Sequence, residues 1–321
     1  MDSALHSPGP APVTGLEDFH ACTRAWFRGA FHAPTPVQAR SWPVIAAGRS
    51  ALMLAPTGSG KTLAAFLAAL DRLMFGDCTT GGGVRVLYIS PLKALGVDVE
   101  RNLRAPLAGL SAAAAREGVA HQAVSVGLRS GDTASRDRAR MLKAPPDILI
   151  TTPESLYLML TSRASAMLEP VETVIIDEIH TMVSSKRGAH LFVSLERLEH
   201  LRRRRRANIA PLQRIGLSAT QRPLEEVARL LGGATVSRAG ADPVPRPVEI
   251  VDAGEKRPFE LSIVMPLAEH APAGEEFEVV GNAATSPVPA SVWPAIYPRL
   301  VALVREHRST MIFVNSRRLA E

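Results

Sequence analysis

Cysteine is nearly absent: Cys22 and Cys78 are the only two in 321 residues, too few for a disulfide framework or a zinc site. Long apolar runs are missing too. No uninterrupted stretch reaches the roughly 20 residues that cross a bilayer, and a mean hydropathy of +0.07 stays below membrane composition. Residues 1–15 hold several prolines but no apolar core of the kind a signal peptide carries. They read as a disordered leader, and a cytoplasmic location is expected. Lysine is scarce, so arginine supplies nearly all of the positive charge. The net charge of +6 and an isoelectric point near 9.8 favour a polyanionic partner such as nucleic acid. The run Arg202 to Arg206 follows a helical pattern of leucines at 191, 195, 198 and 201. It is expected to be a solvated helix end, where cations complement the dipole. No internal repeat is visible.

Hydrophobic residues make up 46% of the chain, ample for real cores, and the length suggests about two domains. Among them stands Ala55-Pro56-Thr57-Gly58-Ser59-Gly60-Lys61-Thr62. An apolar run, Ala51 to Leu54, precedes it and a helix-forming stretch, Leu63 to Leu70, follows, which is the strand-loop-helix setting of a P-loop. Gly58 and Gly60 let backbone N–H groups turn inward, and together with the helix N-terminus these favour a polyanion. Thr57, Gly58, Ser59, Gly60, Lys61 and Thr62 are therefore the candidate nucleotide-binding residues. Lys61 is placed for the β- and γ-phosphates of ATP and the Thr62 hydroxyl for Mg²⁺. Ala55 replaces the first glycine of the general pattern without removing a phosphate ligand.

The other half of such a site is expected at Thr173-Val174-Ile175-Ile176-Asp177-Glu178-Ile179-His180. Its apolar run reads as a parallel strand covered on both faces, and ligands of open α/β sheets sit at the carboxyl ends of such strands. Asp177 is placed to hold Mg²⁺ and Glu178 to orient or deprotonate the attacking water. Lys61, Asp177 and Glu178 form the candidate catalytic set.

Strands alternate with helices from about residue 36 to 235, the pattern of an α/β domain with a mostly parallel sheet. Strands are expected at 51–55, 84–89, 123–126, 148–151, 174–177 and 214–218, within a first domain spanning 16–238. Pro, Gly and Asp crowd residues 239–247, which read as a linker. Residues 248–321 are expected to begin a second, incomplete domain, with strands at 248–251, 260–265 and 310–314 and a helix at 293–307.

Two further strand ends carry Ser90-Pro91-Leu92-Lys93 and Thr151-Thr152-Pro153-Glu154. In each, a hydroxyl residue is placed to cap a helix and proline to take its first position. Free N–H groups are then aimed at a backbone phosphate. Arg129-Ser130-Gly131-Asp132-Thr133 is read as a third such loop. Ser90, Pro91, Lys93, Ser130, Gly131, Thr152, Pro153 and Glu154 are thus the candidate contacts to a single strand, sequence-independent because they go to phosphate. Ser218 and Thr220, at the end of the next strand, are placed to hydrogen-bond Asp177 or His180 and so couple the nucleotide site to the rest of the fold.

Taken in order, these segments resemble a superfamily 2 helicase of the DEAD/DEAH type. Pro34-Thr35-Pro36-Val37-Gln38 looks like the Q motif, Ala55 to Thr62 like motif I, Ser90 to Leu95 like motif Ia, and Asp177 to His180 like a DEIH motif II. Ser218 to Thr220 resembles motif III and Ile312 to Arg317 motif IV. More narrowly, Tyr88 to Leu95 with Val97 to Leu103, and Lys186 to Leu191, resemble the large helicase-related (Lhr) group.

The resemblance implies a RecA-like first domain and the start of a second one. It also implies an ATP- and Mg²⁺-dependent helicase that moves 3′ to 5′ on DNA or RNA–DNA hybrids in DNA repair, with single-stranded DNA ahead of RNA as partner and no membrane association. Gln38 would read the adenine edge, and His180 would couple motifs II and III. Family members close the nucleotide site with an arginine-bearing motif, and no such pattern follows Asn315; Glu306-His307-Arg308-Ser309 lacks its glycine and second arginine. An arginine finger supplies about 10³ to 10⁵ in turnover, so the chain is expected to bind ATP far better than it hydrolyses it. Gly96 is a lesser oddity, since glycine within the helix after motif Ia costs about 1 kcal/mol relative to alanine. Three alternatives stay open: an RNA helicase that opens short duplexes locally, a nucleotide-gated binding module without turnover, and a P-loop enzyme acting on a small molecule, which leaves the Ser-Pro and Thr-Pro loops unexplained.

Overall fold

A computed structural model describes residues 15–76, 82–205, 209–219, 223–236, 242–254, 260–263 and 293–315. In chain order the elements are α1 (Ala21–Ala30), α2 (Pro36–Ala46), β1 (Ala51–Leu54), α3 (Lys61–Phe75), β2 (Val86–Ile89), α4 (Lys93–Arg116), β3 (Val126–Arg129), α5 (Ser135–Lys143), β4 (Ile148–Thr151) and α6 (Pro153–Leu160). After a 3₁₀ turn come β5 (Thr173–Ile176), α7 (His180–Val183), α8 (Lys186–Arg205), β6 (Gln213–Ser218), α9 (Leu224–Gly232), β7 (Ala234–Thr235), β8 (Val244–Pro245), β9 (Glu249–Asp252) and α10 (Trp293–Glu306). The chain divides into two compact units, Met1–Glu255 and Lys256–Glu321.

Seven strands of the first unit form one sheet in the order β3-β4-β2-β5-β6-β1-β9. Every pairing in it is parallel. The five central strands are buried along their whole length because helices cover both faces, which is why they read as unbroken apolar runs. Successive residues point to opposite faces. Met53, Tyr88, Ile150 and Ile175 pack under Phe27, Trp42, Phe66 and Leu103 of α1 to α4. Leu52, Leu87, Leu149 and Val174 pack under Leu156, Leu195 and Leu231 of α6, α8 and α9. Gly96 finds its reason here: a Cβ at that point of α4 would stand 3.2 Å from both Ile150 Cγ2 and Leu128 Cδ1, so glycine lets the helix settle on β3 and β4.

Four expectations need correction. The strand expected at 123–126 forms at 126–129, because pairing with β4 starts at Val126. Ser125 is held instead by the Asp147 carboxylate, which accepts from its N–H at 2.8 Å and its hydroxyl at 2.6 Å. Residues 248–251 do not open a second domain: β9 lies beside β1, with Leu52 opposite Ile250, and the Pro-rich stretch before it contributes β8, antiparallel to β7. In the second unit the described residues hold α10 and no strand, and 260–263 and 310–314 are irregular. Residues 1–14 and 264–265 lie outside the described residues.

The arginine run is not wholly a solvated end either. Arg202 is 1% exposed, donating to Glu199 Oε2 at 3.4 Å and to the Ala210 carbonyl at 3.1 Å. Glu199 also accepts from Leu212 N, so the pair fastens the end of α8 to the approach to β6. Arg206 lies outside the described residues. Among the described residues, no helix is long and apolar enough to cross a membrane.

Candidate functional site

The loop between β1 and α3 turns twice through the left-handed region, at Gly58 (φ 80°) and Gly60 (φ 85°), where a side chain is strained. Gly60 caps α3 with no side-chain bond to the first turn, which leaves N–H groups at that end available. Lys61 is 9% exposed, and its Nζ donates to the carbonyls of Ala55 and Pro56. Burial pushes its pKa down, while Glu178 and Asp177 pull it up. Ser59 Oγ is buried without a partner. An orphaned hydroxyl, free N–H groups and one ammonium fit the oxygens of a triphosphate. Thr57 is exposed and Thr62 half-buried beside them.

Gln38 touches this loop rather than facing solvent. It is 4% exposed, its Oε1 accepts from Thr35 N at 2.9 Å, and its Nε2 donates to Gly60 O at 3.4 Å. With Gln38 N on Thr35 Oγ1 this is a capping box for α2.

Asp177 follows β5, with its N–H on Ile89 O at 2.9 Å. Both carboxylate oxygens are held: Oδ2 accepts from the Tyr88 hydroxyl and Oδ1 from Glu178 N at 3.0 Å. Burial and then the charge of Asp177 push the Tyr88 phenol far up, so it remains a donor. Glu178 (φ 46°) is the one non-glycine in the left-handed region among the described residues. Its Oε2 lies 3.3 Å from His180 Nδ1, which lies 3.3 Å from Ser218 Oγ. Ser218 therefore reaches His180 rather than Asp177. Thr220 lies outside the described residues. The loop and the acidic strand end leave the same carboxyl edge of the sheet, on β1 and β5 either side of β6, and the charges of both Glu178 and Asp177 act on Lys61.

Across the sheet, the loops after β2, β3 and β4 converge on a cavity of about 340 Å³ lined in part by Ser90, Lys93, Ser130, Asp132 and Thr152. Thr152 caps α6 by accepting from Ser155 N at 3.4 Å, with Pro153 at the first position, as its sequence suggests. Ser90 does not cap. Its N–H continues the ladder to Thr151 O at 2.9 Å, its hydroxyl donates to Leu92 O at 2.9 Å, and α4 starts only at Lys93 with Pro91 outside it. Ser130 closes a turn instead of a helix: its N–H donates to Thr133 Oγ1 at 2.9 Å, and α5 begins at Ser135 without a side-chain cap. Lys93 Nζ pairs with Asp132 Oδ2 at 2.6 Å.

One residue of this region was missed as a site residue. Arg187 donates from Nη1 to Pro91 O at 2.8 Å and pairs through Nε and Nη2 with Glu154, tying two of the loops together. Its hydrogen bonds hold the Glu154 carboxyl at about 2. The only signal for it was its place in the segment that resembles the Lhr group.

The chain matches the DEAD/DEAH box helicase family over residues 35–228. It is 49% identical over 306 residues to an Lhr helicase of Mycolicibacterium smegmatis, a match that covers 95% of this chain and 18% of that protein. To the Lhr helicase/uracil glycosylase of Escherichia coli it is 47% identical over 319 residues, covering 97% of this chain and 20% of that one. The solved structure of Mycobacterium smegmatis helicase Lhr bound to ssDNA and AMP-PNP superposes with a TM-score of 0.73 at 48% identity, covering 95% of this chain and 35% of that chain. The chain thus spans about a fifth of the length of the two curated relatives.

Proposed function

This chain belongs to the DEAD/DEAH box helicase family, and on that premise we propose that it carries the ATP-binding half of a nucleic-acid motor. The observation that carries this reading is the placement of the Lys61 loop after β1 and of Asp177-Glu178 after β5, on either side of β6 at the carboxyl edge of one parallel sheet. Lys61 and Thr62 would hold the triphosphate and its Mg²⁺ with Asp177. Bound Mg²⁺ would neutralise charge on the phosphates. Lys61 exchanges its two loop carbonyls for phosphate oxygens. Tyr88 and the Glu178 N–H fix the Asp177 carboxylate, so its orientation does not depend on the ligand. Glu178 accepts a proton from the attacking water, and His180 links it to Ser218 at the end of β6.

The loops at Ser90, Gly131 and Thr152 would hold a single strand by its phosphates, DNA ahead of RNA, in keeping with the single-stranded DNA in the related Lhr structure. The finer reading is 3′ to 5′ movement on DNA or RNA–DNA hybrids in DNA repair, and it rests on family resemblance. The unit from Lys256 is taken as the beginning of a second RecA-like domain. With no arginine-finger pattern among its own residues, the chain by itself would bind ATP better than it turns it over.

The test is ATP hydrolysis by this chain in saturating single-stranded DNA or RNA, with Glu178→Gln alongside. Slow turnover stimulated by DNA and lost in Glu178→Gln, with nucleotide binding kept, supports the proposal. Stimulation by RNA alone moves the substrate to RNA, and hydrolysis indifferent to both returns the small-molecule alternative.

A further inference from the structure

The motif loops leave one cluster of charge unexplained. Arg129 ends β3, the edge strand of the sheet, and Arg138 lies on α5, a helix that buries none of its residues. Besides Arg138, α5 carries Arg136, Arg140 and Lys143 against a single acid, Asp137. Arg138 donates from Nη2 to Gly131 O at 2.7 Å, and a Cβ at Gly131 would stand 4.0 Å from Lys93 Nζ. Two cations therefore flank this one loop.

The neighbouring carboxylates are engaged elsewhere: Asp132 pairs with Lys93, and Asp137 lies 3.8 Å from Arg140. Arg129 Nη1 and Arg138 Nε are buried with no hydrogen-bond partner. Burial, and then the charge of Arg138, push the Arg129 guanidinium down from its usual range. Arg138 sits on the carbonyl of Gly131, two residues beyond Arg129, and two like-charged groups with unmet donors on one loop gain when an anion joins them. A phosphate suits them, because each planar guanidinium can present two parallel N–H groups to its oxygens.

We propose that Arg129 and Arg138 form a phosphate subsite for the single strand held by the Ser90, Ser130 and Thr152 loops, carrying its track to the β3 edge of the sheet. The inference rests on the nucleic-acid reading of those loops. No motif contains Arg138, and the acid on Lys93 leaves this pair to supply the free positive charge beside Gly131.

The experiment is fluorescence anisotropy of labelled oligo(dT) with this chain across a sodium chloride series. Arg129→Gln and Arg138→Gln are each expected to weaken binding about threefold to tenfold and to flatten the slope of log affinity against log salt by about 0.7, the share of one single-strand phosphate. Arg229→Gln on α9 should change neither. If all three variants match the parent in affinity and slope, the subsite is overturned while the interface stands. If the parent itself does not bind oligo(dT), the interface reading falls and the subsite falls with it. Should Arg129→Gln melt early, Arg138→Gln on its exposed helix decides. Stabilisation of the parent by inorganic phosphate, lost in both variants while oligo(dT) binding is unchanged, would make this a free-anion site and overturn the proposal.

Discussion

Gly60→Ala separates two forces acting on the P-loop. The φ of 85° at Gly60 strains any L side chain by about 1–2 kcal/mol. The added Cβ would also stand 2.6 Å from Gln38 Nε2, so the Gln38 amide must leave Gly60 O and loosen its reciprocal capping with Thr35, worth about 0.5–2 kcal/mol. The sum is about 1.5–4 kcal/mol. Gly58 provides the control, since its φ is 80° and nothing lies within 4 Å of a Cβ there. Gly58→Ala should therefore show the backbone strain alone. At about 2–4 °C per kcal/mol for a unit of this size, Gly60→Ala is expected to melt about 3–16 °C below the parent by circular dichroism, and Gly58→Ala about 2–8 °C below. Adding Gln38→Ala should cost Gly60→Ala less than it costs the parent. Equal melting of Gly60→Ala and Gly58→Ala, with full additivity of Gln38→Ala, would refute the contact between the Q-motif glutamine and the loop.

Three further outcomes are expected. Gly188→Ala places a Cβ 1.9 Å from the Met182 carbonyl; overpacking of about 1–3 kcal/mol against backbone should outweigh the gain of about 1 kcal/mol in helix propensity, and a higher urea midpoint than the parent would contradict it. Tyr88→Phe keeps the stack on Phe66 at 5.2 Å but removes the donor to Asp177. With Asp177 half-buried and open to water, a loss of about 1 kcal/mol in denaturant titrations is expected, and no loss would mean the bond is not made. The Glu154 carboxyl is held at about 2, below its ordinary 4.5, chiefly by Arg187. A depressed folded value means that its contribution is full above 4.5 and is lost as pH falls through about 2. The Glu154 side chain is 56% exposed, so screening keeps the contribution below about 1 kcal/mol. Arg187→Ala should flatten the stability profile across that acid window, and parallel profiles would count against the pairing.

The shape of the Lys61 loop and the position of the acidic strand end were legible because their signals are local. A buried apolar strand, two glycines and a lysine occupy one contiguous stretch, and the acidic strand end is another. What escaped depends on partners far along the chain. β9 earns its place only by pairing with β1, and its own residues look the same whether they open a domain or close a sheet. Ser90-Pro91 and Thr152-Pro153 share a dipeptide pattern, yet the ladder bond from Ser90 N to Thr151 O keeps Ser90 in the strand and leaves Thr152 to cap a helix. Arg202 is buried because Glu199 and the Ala210 carbonyl meet it across a turn, and Arg187 matters through Pro91, 96 residues away. The edge strand β3 is half-buried throughout, too weak a pattern to fix its register.

Binding of a fluorescent ATP analogue to this chain, with and without Mg²⁺, tests most directly whether the Lys61 loop and Asp177 hold a triphosphate between them. Saturable binding strengthened by Mg²⁺ is expected, weakened at least about tenfold in Lys61→Ala through the loss of charge-assisted bonds to phosphate, and with the Mg²⁺ effect gone in Asp177→Asn. Unchanged affinity in Lys61→Ala, or an undiminished Mg²⁺ effect in Asp177→Asn, would contradict it.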